Sequence, residues 1–110
     1  MFLAALRQGD LDALIAVLDP DIVLRDAGAT PGAEPVRRGS HAVADYALRY
    51  SRQARFVRPA LVDGTPGLAI VFLGRIIGAL GFTFGGEAII EIEMIDLRDR
   101  LRRDIVVSHG

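Results

Sequence analysis

The sequence predicts a single α+β domain in which helices come first and an antiparallel sheet follows. Hydrophobic spacing is helical over the first half and turns strand-like after Ala54. Gly-containing turns then recur at intervals of one strand length. The chain of 110 residues, 51% of them hydrophobic, can bury one core but not two, so residues 1–110 read as one domain.

The elements follow in order. Phe2 to Arg7 reads as a helix that Gly9-Asp10 breaks, and Asp10 is placed to cap the next one. In that second helix Leu11, Leu14, Ile15 and Leu18 form one apolar stripe, and Pro20 is expected to end it. Ile22 to Asp26 is the first expected strand. Ala27 to Arg38, with two prolines and two glycines, is expected to be a long loop. A third helix is predicted over Ser40 to Ala54. Its buried face would carry Val43, Tyr46, Ala47 and Tyr50, and its wet face His41, Asp45, Arg49 and Arg52, with Asp45 and Arg49 spaced for an ion pair.

The remaining elements are strands: Phe56 to Val62, Leu68 to Leu73, Ile76 to Phe84 and Ala88 to Asp96. Asp63-Gly64-Thr65-Pro66, Gly74-Arg75 and Gly85-Gly86 are the expected turns. Leu68 to Leu73 lacks polar alternation and reads as buried on both faces. In the last strand Ile90, Ile92 and Met94 share one face. Ile89, Glu91, Glu93 and Ile95 share the other, which is half wet and half apolar and suits a solvent face or a subunit contact, the second of which would make a homodimer. Leu97 to Asp104 is a charged helix or tail.

Composition excludes several classes. With no cysteine there is no disulfide and no thiol chemistry. No stretch is apolar for long enough to form a membrane helix, and Arg7 and Asp10 interrupt any leader, so a cytoplasmic home is expected. The net charge of −1 offers no field for nucleic acid, and direct nucleic-acid contact is not expected. Arg98, Arg100, Arg102 and Arg103 are interleaved with Asp96, Asp99 and Asp104, which suits a solvated segment or docking on an acidic partner. His109 has no spaced partner for a metal site, and His41 reads as solvated. The glycines follow no strand–glycine–helix order, so no phosphate loop or other cofactor motif is present.

Several stretches carry a resemblance: Phe2-Leu3-Ala4-Ala5-Leu6-Arg7-Gln8-Gly9-Asp10-Leu11, Pro20-Asp21-Ile22-Val23-Leu24-Arg25, Val36-Arg37-Arg38-Gly39, Pro59 to Leu68, and Arg100-Leu101-Arg102-Arg103. Together they resemble the SnoaL-like (nuclear-transport-factor-like) domain at the C-terminus of extracytoplasmic-function sigma factors. The resemblance implies a bacterial cone-shaped fold of about three helices in a curved antiparallel sheet. It also implies a non-enzymatic domain that regulates transcription initiation by touching the sigma DNA-binding segments or RNA polymerase. Asp26-Ala27-Gly28-Ala29-Thr30 keeps the aspartate and one glycine of that family's Asp-Gly-Gly-Gly-Lys motif and lacks its lysine. No sigma segment precedes Met1, so the chain is expected to be an excised domain or a relative acting on a separate partner. The long loop from Asp26 to Arg38 is the expected regulatory contact.

Asp26 is the candidate for chemistry. By the two-residue period it shares a face with Ile22 and Leu24, which puts it at the mouth of the cone, where a carboxylate could act as a base. The position resembles the catalytic aspartate of ketosteroid isomerases, which share the fold. The positions matching that enzyme's acid donors are Phe2 and Leu80, which donate nothing, so isomerase activity is not expected. The plainer account of Asp26 is that it starts a turn and accepts from the backbone N–H groups of the Gly28 loop. The pocket is expected to be mainly apolar, either filled by side chains or holding a small apolar ligand, and lined from Leu6, Leu24, Asp26, Tyr46, Tyr50, Leu61, Leu80, Phe82 and Met94. The alternative function is a stand-alone isomerase-like enzyme or ligand-binding protein that uses Asp26. An enzyme would need two or more convergent polar groups, and only Asp26 and a tyrosine hydroxyl are legible.

Overall fold

The computed structural model describes residues 1–28, 35–96 and 98–108. Helix α1 (Phe2–Gln8) ends where Gly9 and Asp10 turn their N–H groups back onto the Leu6 and Ala5 carbonyls, at 3.1 and 3.0 Å. Asp10 then caps α2 (Leu11–Val17) by accepting from the Ala13 N–H at 3.1 Å. Helix α3 spans Ser40–Leu48, and two short 3-10 helices cover Ser51–Phe56 and Asp99–Arg102. The strands are β1 (Leu18–Asp26), β2 (Arg37–Arg38), β3 (Val57–Val62), β4 (Thr65–Phe72), β5 (Arg75–Gly85), β6 (Ala88–Ile95) and β7 (Ile105–Val107).

They form one curved, unclosed sheet in the order β2-β1-β6-β5-β4-β3-β7. The sheet is mixed: β1 runs parallel to β6 and every other pair is antiparallel. The helices pack on its concave side. Phe2, Leu6, Leu14, Ile22, Leu24, Val43, Ala44, Val57, Leu68, Ile89 and Ile92 make up most of the buried core. Leu14 and Ile22, at 0% exposure, sit at its centre.

Several element ends differ from the sequence expectation, each for a local reason. Helix α2 stops at Val17, so Leu18 opens β1 instead of extending the helical stripe. Pro20 does not terminate that helix but lies inside β1, between paired residues Leu18 and Val23, where the ladder is irregular and a missing N–H costs nothing. Helix α3 gives way after Leu48, and the 3-10 turn that follows leaves Tyr50 at 50% exposure rather than buried. His41, Asp45, Arg49 and Arg52 are exposed as expected. Asp45 and Arg49 form no ion pair among the described residues; the Arg49 guanidinium instead lies 5.8 Å from the Tyr46 ring centre. Strand β4 is buried only over Gly67–Ala69, and Phe72 and Leu73 are exposed.

Two hairpin turns fall one residue from where glycine alone places them. The β4–β5 turn is Leu73-Gly74, with φ of 50° and 77°, because Phe72 pairs with Arg75. The β5–β6 turn is Gly86-Glu87, because Gly85 already pairs with Ala88.

The outer face of the sheet also differs. A bulge makes Ile90 the extra residue between the Phe84–Ile89 and Thr83–Glu91 pairs, and this rotates Ile89 into the core. Ile95 is buried with Val62 and Ala79, and Ile105 of the C-terminal segment packs against them. The two isoleucines expected at a subunit contact are therefore not on a free surface. Arg103 holds the C-terminal segment down through ion pairs to Asp63 at 2.5 Å and Glu93 at 2.6 Å.

Candidate functional site

The concave side of the sheet leaves a cavity of about 430 Å³ between α1, α3, the first 3-10 helix and strands β1, β4, β5 and β6. Its volume lies within the range of about 300–1,000 Å³ typical of small-molecule sites. Leu24 of β1 pairs with Ile92 of β6, and Asp26 pairs with Met94. All four side chains line the cavity, together with Leu80, which pairs with Met94 from the β5 side.

Of the residues expected in the pocket, Leu6, Leu24, Asp26, Tyr46, Tyr50, Leu80 and Met94 line it. Leu61 and Phe82 do not. Leu61 is paired with Pro66 and Val106 on either side and, alternating with buried Ala60 and Val62, is exposed. The Phe82 ring stacks edge-on against Phe2 at 5.3 Å and Phe84 at 6.0 Å, which draws it toward α1. Residues that sequence reasoning missed include Val57, Ile70, Gln53 and Asp96. Asp96 had a signal: it lies two residues beyond Met94, so the strand period carried one step further puts it on the same face.

The polar groups sit around the mouth. Asp26 is exposed, and its Oδ1 accepts from the Gly28 N–H at 3.0 Å in a tight turn. Asp96 is likewise exposed, and its Oδ1 accepts from the Asp99 N–H at 2.9 Å, at the start of the second 3-10 helix. That N–H bond, aided by Arg98, holds the Asp96 carboxyl below its usual pKa. The 3-10 helix abuts the Asp26 turn, since a Cβ on Gly28 would lie 3.3 Å from Asp99 Oδ2. Asp26 is thus one of two carboxylates at the mouth, where the sequence singled out one.

Across the mouth, the Tyr50 hydroxyl donates to the Tyr46 hydroxyl at 3.4 Å, and the rings lie 5.5 Å apart. The bond to Tyr50, with burial adding to it, raises the Tyr46 phenol above its ordinary pKa, so Tyr46 stays a neutral hydroxyl. Arg37 lies over the Tyr46 ring at 4.7 Å and does not line the cavity. Phe2 and Leu80, the positions matching the isomerase donors, present only hydrocarbon to it. Among the described residues no hydrogen bond joins the tyrosine pair to either aspartate. No group of three or more acidic or histidine side chains among them is placed to hold a metal ion. His41 is exposed on α3, and His109 lies outside the described residues, as does the middle of the loop from Asp26 to Arg38.

A half-open sheet with a parallel β1–β6 pair, wrapped around three helices and an apolar cavity, is matched by solved structures. The chain has the SnoaL-like, nuclear-transport-factor-like fold. The extracytoplasmic-function sigma factor SigJ of Mycobacterium tuberculosis superposes with a TM-score of 0.67 and 22% identity, over 92% of this chain and 42% of that one. The chain therefore spans less than half of the sigma factor's length. An NTF2-like protein of Burkholderia xenovorans shares the fold with a TM-score of 0.52 and 23% identity, over 92% of this chain and 88% of its own. A putative isomerase of Bacillus subtilis matches with a TM-score of 0.54 and 15% identity, over 84% and 78% of the two chains. Structures that share the fold thus include both a sigma factor and a putative isomerase. No family model and no curated protein matches the sequence. No helix among the described residues is long and apolar enough to cross a membrane.

Proposed function

We propose that the chain is the regulatory nuclear-transport-factor-like domain of an extracytoplasmic-function sigma factor. It tunes transcription initiation through contacts with the sigma DNA-binding segments or RNA polymerase, and its cavity takes a small apolar ligand. The observation that carries this reading is the likeness to SigJ across 92% of the chain. The chemistry of the cavity supports it. Both carboxylates at the mouth already accept from local N–H groups, and Phe2 and Leu80 offer nothing to a developing oxyanion. The contact surface is the turn at Asp26-Ala27-Gly28 with the 3-10 helix beside it. Self-association does not use Ile89 and Ile95, which are buried.

One observation favours a second reading, a small isomerase-like enzyme. Two tyrosine hydroxyls and two carboxylates meet around one apolar cavity, which is more polar chemistry than the sequence promised. Asp26 would be the base and the tyrosines the donors.

A binding titration separates the two. The labelled chain is titrated with RNA polymerase core and with the DNA-binding segments of an extracytoplasmic-function sigma factor from the same genome. The regulatory reading expects saturable binding to one of them, weakened about tenfold or more by the paired changes Asp26→Ala and Gly28→Ala. No binding to either, together with turnover of an unsaturated ketone that collapses in Asp26→Asn, would establish the enzyme instead.

A further inference from the structure

We propose that the cavity selects an apolar molecule bearing a cationic, amine-type head, with its hydrocarbon in the cavity and its charge at Asp26 and Asp96. The inference rests on the reading that the cavity is open to a small ligand, and it names that ligand's class. The cavity walls near Leu24, Leu80, Ile92 and Met94 are hydrocarbon and suit a chain or ring system. The charged side chains that line it among the described residues are two, and both are carboxylates. The parallel pairing of β1 with β6 brings them together, since Asp26 lies beside Met94, two residues before Asp96.

Each carboxylate uses Oδ1 for a backbone N–H, which fixes its orientation. Among the described residues Asp26 Oδ2 has no hydrogen-bond or ion-pair partner, and Asp96 Oδ2 faces the exposed Arg98 guanidinium at 3.9 Å. Asp99 adds a third carboxylate beside Gly28, just outside the lining. Arg98 faces Asp96 but is almost wholly exposed, so solvent screens it, and Arg37 and Arg49 lie on the Tyr46 ring; none of the three lines the cavity, which leaves a net negative charge at its mouth. A carboxylate head would meet like charge, and a neutral head would gain no ion pair. A protonated amine gains two charge-assisted acceptors while its chain leaves water.

Calorimetric titration with octylamine, octanol and octanoate tests this, using the intact chain and the Asp26→Asn, Asp96→Asn double variant. Asparagine keeps an oxygen for each backbone N–H, so both turns survive. The expected result is octylamine binding about fivefold tighter than octanol, the scale of exposed ion pairing. Octanoate should bind weakest. The double variant should bind octylamine and octanol alike, with its octanol affinity unchanged, and added salt should erode the wild-type preference. Equal binding of amine and alcohol by the wild type, a preference that persists in the double variant, or no binding of any of the three would overturn the proposal. These outcomes are independent of polymerase or sigma binding, so failure here does not count against the regulatory reading, nor the reverse.

Discussion

Asp26 illustrates how much a single hydrogen bond settles at the residue scale. Its Oδ1 is committed to the Gly28 N–H, so it acts first as the residue that shapes the turn at the cavity mouth. Face parity with Ile22 and Leu24 was legible in the sequence, and so was the turn; Asp96 ended the expected last strand, but faces were assigned only as far as Ile95, so its place on the Met94 face was not drawn. Asp63 is the residue with the clearest pH signature. The Asp104 N–H, then the Arg103 guanidinium, lower its pKa below the usual carboxylate value. A depressed folded-state pKa contributes stability above the unfolded value of about 3.9, and that stability is lost as pH falls through the folded pKa. Thermal melts taken from neutral pH down to about pH 3 should therefore show a drop on the acid side that is smaller in Asp63→Asn. The variant should be the less stable of the two at neutral pH, and identical acid-side slopes would contradict the assignment.

Among the elements, the caps and the helix-to-strand order were legible because each depends on local chemistry: Asp10 before an apolar stripe, Gly9 after one, alternation after Ala54. Turn registers were not, since a glycine shows that a turn is near without showing which side its partner residue lies. The β4–β5 turn puts Leu73 at φ 50° before Gly74. A left-handed conformation costs a leucine about 1–2 kcal/mol, and Asn-Gly is the favoured pair for such a turn. Leu73 is 87% exposed, so its side chain contributes little packing in return. Leu73→Asn should raise stability by about 1 kcal/mol, read as a higher denaturant midpoint with an unchanged slope. A lower midpoint would mean that Leu73 makes contacts its exposure hides. The same locality explains the misplaced Ile89: a bulge adds one residue to a strand and reverses every face beyond it, and no residue type announces it.

For the molecule as a whole, the α+β class and the cone fold were readable from periodicity and from the resemblance, while the shape of the cavity mouth was not. It depends on β1 running parallel to β6 and on a C-terminal 3-10 helix folding back over the Gly28 turn, both contacts between segments about seventy residues apart. In the proposed reading, a partner touches the domain at the Asp26 turn, which that convergence exposes. Transcription from a cognate promoter, measured in cells carrying the native gene product with Asp26→Ala and Gly28→Ala, tests the regulatory role most directly. The account predicts a change in promoter output of severalfold with a melting temperature within about 2 °C of wild type, because the turn buries little apolar surface. An unchanged output with an unchanged melt would contradict it and leave the domain as a ligand-binding protein or enzyme of the same fold.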